Sequence, residues 1–172
     1  MDKNLGKFCA LSDRSDISCG SLMTYNLSKR NSWMTLHHID VLELPVIQNL
    51  DDLIFFHHVL ELSYYFIPLA KMANDIFDLL FFLYTPPEKF NCNGSKKLFL
   101  CKLFAHLGFY PEDNQIPIFI FRLIRFEYID ALINKSIDLS LERKLDQWLD
   151  YCIAIHPCAN CFRTLSFFMR RS

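Results

Sequence analysis

The chain has 172 residues, 52% of them hydrophobic, with 17 Phe, only 4 Gly and a formal net charge of −1. That length suffices for one domain, or one domain and a fragment of another, burying roughly two-thirds of its unfolded surface, and the composition is helical and aromatic-packed. Residues 1–91 carry 7 basic and 11 acidic groups and residues 92–172 carry 11 basic and 8 acidic, so the C-terminal half suits an anionic partner better, yet the excess falls far short of a committed nucleic-acid signature.

The most apolar run, Leu53 to Ala70, contains His57, His58, Glu61 and Pro68, which excludes a membrane span of about 20 predominantly apolar residues. Met1 to Gly20 is charged and lacks the apolar segment of a secretion signal, so a cytoplasmic location is expected. Seven cysteines without regular spacing suit reduced, partly buried thiols.

In chain order, residues 1–31 are polar and turn-rich. Strands are predicted near residues 21–28 and 33–42, joined by a hairpin turn at Lys29-Arg30-Asn31-Ser32. Two strands alone do not make a stable sheet. A long helix, capped by Asn49 or Asp51, then runs to Phe66 before Pro68, and a second, capped by Asn74, covers Asp75 to Tyr84. That second helix is nearly all apolar and is expected to lie centrally.

The stretch Ser95 to Pro111, SKKLFLCKLFAHLGFYP, has a complete helix grammar. Ser95 is the predicted cap and Gly108 the left-handed stop. Phe99, Leu100, Leu103, Phe104 and Leu107 form a broad apolar face, and Lys96, Lys97, Lys102 and His106 the polar remainder. Pro117 opens another helix, to about Ile133, on which Arg122 and Arg125 share a face. Ser140 is the predicted cap of a last long helix with an apolar stripe of Leu141, Leu145, Trp148, Leu149 and Cys152. A short helix over Phe162 to Met169 ends the chain at Arg170-Arg171. One core is expected from Phe55, Leu62, Phe77, Leu80, Phe99, Leu103, Phe104, Leu145 and Trp148. The fold class is therefore mainly α, of the α+β kind.

Catalytic motifs are missing. No GxGxxG, GxxxxGK[ST], GxSxG or HExxH occurs, and no enzyme activity is expected. Cys158-Ala159-Asn160-Cys161 beside His156 has ligand-like spacing, but no second CxxC exists to complete a structural zinc site, so neither metal nor cofactor is expected. The adjacent pairs His37-His38 and His57-His58 point their rings to different faces.

Thr35-Leu36 through Glu43, followed by LELSYYF, IFDLLFFLY and KKLFLCKLFAHLGFYP in that order, resembles the bacterial RecO recombination mediators. The tail DYCIAIHPCANCFRTLSFF also sits where that family has a helix, a turn and a closing segment. The resemblance covers roughly Gly20 to Met169. It implies a partial OB-fold β segment at residues 1–45, with only the last two strands of a five-stranded barrel, and a helical domain of five to six helices at residues 46–172. Either the gene start lies upstream of Met1 or the protein is a reduced form. The family's zinc knuckle is absent, since Pro111 is followed by Glu112-Asp113-Asn114-Gln115.

The resemblance implies a non-enzymatic repair factor that acts with RecR to place RecA on single-stranded DNA coated by SSB. Lys29, Arg30, Arg163, Arg170 and Arg171 are the expected DNA contacts. A pocket for the acidic, Phe-ended SSB tail is expected from Lys96, Lys97, Phe99, Lys102, Leu103, Arg122 and Arg125. The alternatives are that Arg122 pairs with Glu127 or Asp130 while the lysines stay in water, and that the chain is a helical protein-interaction scaffold without DNA binding. A membrane-surface role fits poorly, because the aromatics fall at core spacing.

Overall fold

A computed structural model of the chain describes residues 1–70, 72–84, 93–111, 116–126, 128–129, 131 and 136–164. They hold five α-helices and a three-stranded sheet, a mixed α and β content. The chain forms two compact units, residues 1–47 with 68–85 and residues 48–67 with 86–172.

In the first unit, β1 (Leu11–Ser12), β2 (Leu22–Arg30) and β3 (Trp33–Glu43) form a sheet of order β1-β3-β2, β1 parallel and β2 antiparallel to β3. Both predicted strands are present. β1, two residues long, carries no period that could announce it. Asn31 turns the hairpin at φ 57°, a left-handed conformation that Asn tolerates better than most residues. Thr24 pairs with Asp40 but Asn26 with His37, so Tyr25 alone opposes both His38 and Ile39. His38 absorbs the extra residue at φ 50°, and the resulting bulge bends the ribbon. Ile39 is buried, whereas most of both long strands is exposed or half-buried.

Residues 68–84 join this unit, whereas the sequence sets the end of the first segment at residue 45. Ala70 N–H donates to the Lys7 carbonyl at 2.7 Å, and Lys3 Nζ meets Asp78 Oδ1 at 2.8 Å. Tyr84 donates its hydroxyl to the Gly20 carbonyl. Helix α2 (Asn74–Phe81) continues into a 3-10 turn, Phe82–Tyr84, and Ala73 occupies its cap position without a side-chain bond. It buries Ile76 and Leu79, while Phe77 and Leu80, expected in the core, are half-buried.

The second unit is helical. Asn49 caps α1 (Leu50–Phe66), its side chain accepting from Asp52 N–H at 2.9 Å, and the helix ends at extended Ile67, just before Pro68. α3 (Asn93–His106) starts two residues before the predicted cap Ser95, which is buried within its first turn. It ends as predicted at Gly108, φ 92°, with Phe109 N–H bonded to the Phe104 carbonyl and Gly108 N–H to that of Ala105, the paired bonds of a Schellman stop. α4 (Ile118–Phe126) follows Pro117, and the remainder of that predicted helix falls largely outside the described residues. α5 (Leu139–Ala154) is capped by Asp138, which accepts from Leu141 N–H at 2.7 Å, and not by Ser140.

α3 is the hub of this unit. Leu98, Phe99, Cys101, Leu103 and Phe104 are all 0% exposed. Phe99 meets Phe55 of α1 edge-on at 5.7 Å, and Phe104 meets Phe66 of α1 at 5.1 Å and Trp148 of α5 at 6.3 Å, centroid separations favourable for tilted ring pairs. The helix expected over Phe162 to Met169 does not start at Phe162: Phe162, Arg163 and Thr164 lie in no helix, and its remaining residues fall outside the described ones. No helix among the described residues is long and apolar enough to cross a membrane.

Candidate functional site

Helical spacing assigns the three lysines of α3 to a polar face, and the packing of this unit decides what they touch. Lys96 Nζ meets Asp52 Oδ1 of α1 at 2.7 Å and lies 5.7 Å from the Phe55 ring centroid. Lys97 Nζ bridges Glu142 at 2.8 Å and Asp146 at 2.7 Å, both on α5. Burial alone would lower its pKa, but the hydrogen bonds to Asp146 and Glu142 outweigh it and the pKa is raised. Lys102, 7% exposed, donates to the Arg125 carbonyl at the end of α4 at 3.0 Å. Phe99 and Leu103 are fully buried, so no incoming ring can lie on them without opening the core. α3 therefore supplies no open slot; its cations tie α1, α4 and α5 to it.

Arg122 and Arg125, in contrast, are exposed on α4. The Arg125 guanidinium lies 5.3 Å from the centroid of Tyr110, which is 50% exposed, and Tyr110 meets Phe121 edge-on at 5.5 Å. A guanidinium over an aromatic ring gains cation–π attraction, and the ring sets an apolar wall beside the cation. The turn after α3, which carries Tyr110, and α4, with Phe121 and Arg125, create this cluster. Tyr110 and Phe121 were not singled out from sequence, where they sit in separate elements, although Tyr110 belongs to the quoted basic stretch. Glu127 and Asp130 lie outside the described residues.

Of the expected DNA contacts, Lys29 is exposed near the ribbon tip and pairs with Met34, and Arg30 pairs in register with Trp33, which is 61% exposed. Arg163 belongs to the helical unit; Arg170 and Arg171 lie outside the described residues.

A polar constellation that sequence reasoning passed over lies on α1. Glu61 accepts from Arg163 N–H at 2.8 Å, Thr164 N–H at 3.0 Å and the Thr164 hydroxyl at 2.5 Å. His58 Nδ1 is 2.6 Å from the same hydroxyl oxygen. Burial pushes the His58 pKa down to about 4 against the opposing pull of Glu61. Glu61 itself is raised by burial but lowered more by the bonds from Arg163 and Thr164, so its pKa falls. The available signal was His58 and Glu61 three residues apart on an otherwise apolar face.

His156 Nδ1 accepts from Cys158 N–H at 3.1 Å, and Cys158 and Cys161 are both free thiols. Among the described residues no group of three or more His, Cys, Asp or Glu is placed to hold a metal. Cys101 and Cys152 are buried, and burial raises both thiol pKa values, Cys152 to about 12; both are poor nucleophiles.

No family model, no curated protein and no solved structure matches the chain.

Proposed function

We propose that the chain is a non-enzymatic recombinational-repair factor of the RecO type, acting with RecR to help load RecA onto SSB-coated single-stranded DNA. The order of its sequence pieces supports this reading, and the observation that carries it is the pair of exposed arginines on α4, Arg122 and Arg125, with Arg125 over the exposed Tyr110 ring and half-buried Phe121 beside that ring. An acidic tail ending in Phe needs cations for its carboxylates and an aromatic wall for its ring, and this cluster offers both. The proposed tail site thus shifts from the lysines of α3 to α4. The ribbon tip, with Lys29, Arg30 and Trp33, is the proposed DNA contact; cations follow phosphates and an exposed indole stacks on bases.

The test is calorimetric titration with an acidic, Phe-ended SSB-tail peptide. Wild type binds, and Arg122→Glu with Arg125→Glu loses at least tenfold in affinity. Absence of wild-type binding, or equal affinity in the double variant, overturns the site. A second reading, an interaction scaffold without DNA binding, is favoured by the engagement of Lys96 and Lys97 in ion pairs, which commits these two cations to contacts within the helical unit. It predicts peptide binding with no affinity for single-stranded DNA at any salt concentration.

A further inference from the structure

The segment after α5 is fastened to α1 by an aromatic plug and a carboxylate. Phe162, 8% exposed, lies 4.8 Å from Tyr65, 6.0 Å from Phe66 and 6.1 Å from His156, centroid to centroid. The next two residues belong to no helix or strand. Both of their backbone N–H groups go to Glu61, one on each carboxylate oxygen, and the Thr164 hydroxyl gives its proton to Oε2. With that proton committed, the Thr164 oxygen is left to accept, and His58 Nδ1–H is the donor, 2.6 Å away. His58 is 2% exposed, and its neutral form is the one that burial favours. One side chain therefore supplies the partners of two successive backbone donors that regular structure would otherwise satisfy.

We propose that Glu61, Thr164 and His58 form a clasp, a conformational device that pins Arg163 and Thr164 to α1 and that opens locally without unfolding the helical unit. Its strength comes from charge. A carboxylate accepts three hydrogen bonds here, and an amide of the same shape offers one acceptor oxygen and two unwanted donors. The hinge is Phe162, whose ring is held by apolar contacts that do not depend on Glu61. Opening is confined to Arg163 and Thr164. The clasp lies at the rim of the unit, Glu61 being only partly buried, so water can take over the released N–H groups and the open state is reachable without exposing core. This inference is independent of the repair reading, since it follows from the α1 geometry alone.

The experiment is hydrogen exchange on the full chain, wild type against E61Q, with trypsin cleavage after Arg163 as a second readout. In E61Q the Arg163 and Thr164 amides lose about tenfold in protection, the scale of a charge-assisted bond, while α3 and α5 amides keep theirs. Cleavage after Arg163 accelerates to match. T164V, which removes only the hydroxyl, keeps both backbone bonds and shows a smaller acceleration. Unchanged protection and cleavage in E61Q overturn the clasp. Loss of protection throughout α3 and α5 also overturns it, because Glu61 would then be a general support of the core and not the catch of a local device.

Discussion

The Lys102 ammonium, 7% exposed, sits 3.0 Å from the carbonyl of Arg125, a buried cation at the C-terminal end of α4. The carbonyls of a helix's last turn carry its partial negative charge, and a cation there satisfies both the hydrogen-bonding and the dipole. The residue that sequence reasoning placed in a solvent-facing cationic site thus sets the position of the helix that bears the two exposed arginines.

Lys102→Met keeps the side-chain volume and removes the donor. It is expected to lower stability by about 1–3 kcal/mol and to weaken tail-peptide binding through misplacement of α4. Chemical denaturation together with the peptide titration checks both; an unchanged midpoint with unchanged affinity contradicts this role.

The bridge from Lys97 to Glu142 and Asp146 is partly buried, with Lys97 24% exposed and Asp146 39%. A double-mutant cycle between Lys97→Met and Asp146→Asn is expected to return a coupling of about 1 kcal/mol. The raised Lys97 pKa gives the sign of the pH effect. Its contribution is complete below the unfolded lysine value and is lost as pH rises through the higher folded value. Alkaline unfolding of wild type and K97M should converge; parallel curves would rule the bridge out as the source.

His58 sets the acid limb. Its folded pKa is pushed down to about 4 from 6.5, so between those values the unfolded chain binds a proton that the folded chain does not, and stability falls as pH is lowered through that window. The full loss is about 3 kcal/mol. Glu61, with a lowered pKa, contributes stability present above its unfolded value of 4.5 and lost below it, so the stretch from 6.5 to 4.5 isolates His58 from Glu61, the charged group beside it. His58→Asn, which keeps a donor toward Thr164, should flatten that stretch in a pH series of urea midpoints. An unaltered slope means another group is responsible.

The buried face of α3 and α5 is expected to be costly to truncate. Leu103 is 0% exposed and Trp148 3%, and replacing either by Ala should cost about 2–5 kcal/mol. Thermal melts of the two variants at midpoints equal to wild type would show that the core had been misassigned.

The chain has 2 Trp; Trp33 is 61% exposed at the ribbon tip and Trp148 is buried. Single-stranded DNA bound at the tip should quench the exposed indole alone, and each phosphate contact should add roughly 0.7 to the magnitude of the salt slope. Binding that leaves Trp33 emission unchanged, or that ignores salt, would place the contact elsewhere.

What the sequence determined by itself was local. A cap at Asn49 or Asp51, the stops at Pro68 and Gly108, the start at Pro117 and a hairpin within residues 29–32 were legible because each depends on a side chain or a backbone preference within a few residues. Even here close competitors misled. Asp138 caps α5 in place of Ser140, and α3 begins at Asn93 before Ser95, since several residues near each end can accept the same N–H groups. Tertiary structure alone decided what the lysines of α3 meet and where residues 68–84 belong. It also decided that Glu61 meets Thr164, 103 residues away in the chain. Helical period says which residues share a face but not what that face will meet. For the cations of α3 the answer came from the carboxylates of α1 and α5, brought within 3 Å by the burial of Phe99, Leu103 and Phe104. Apolar burial sets that approach, and the charges then pair because a cation carried out of water needs a partner.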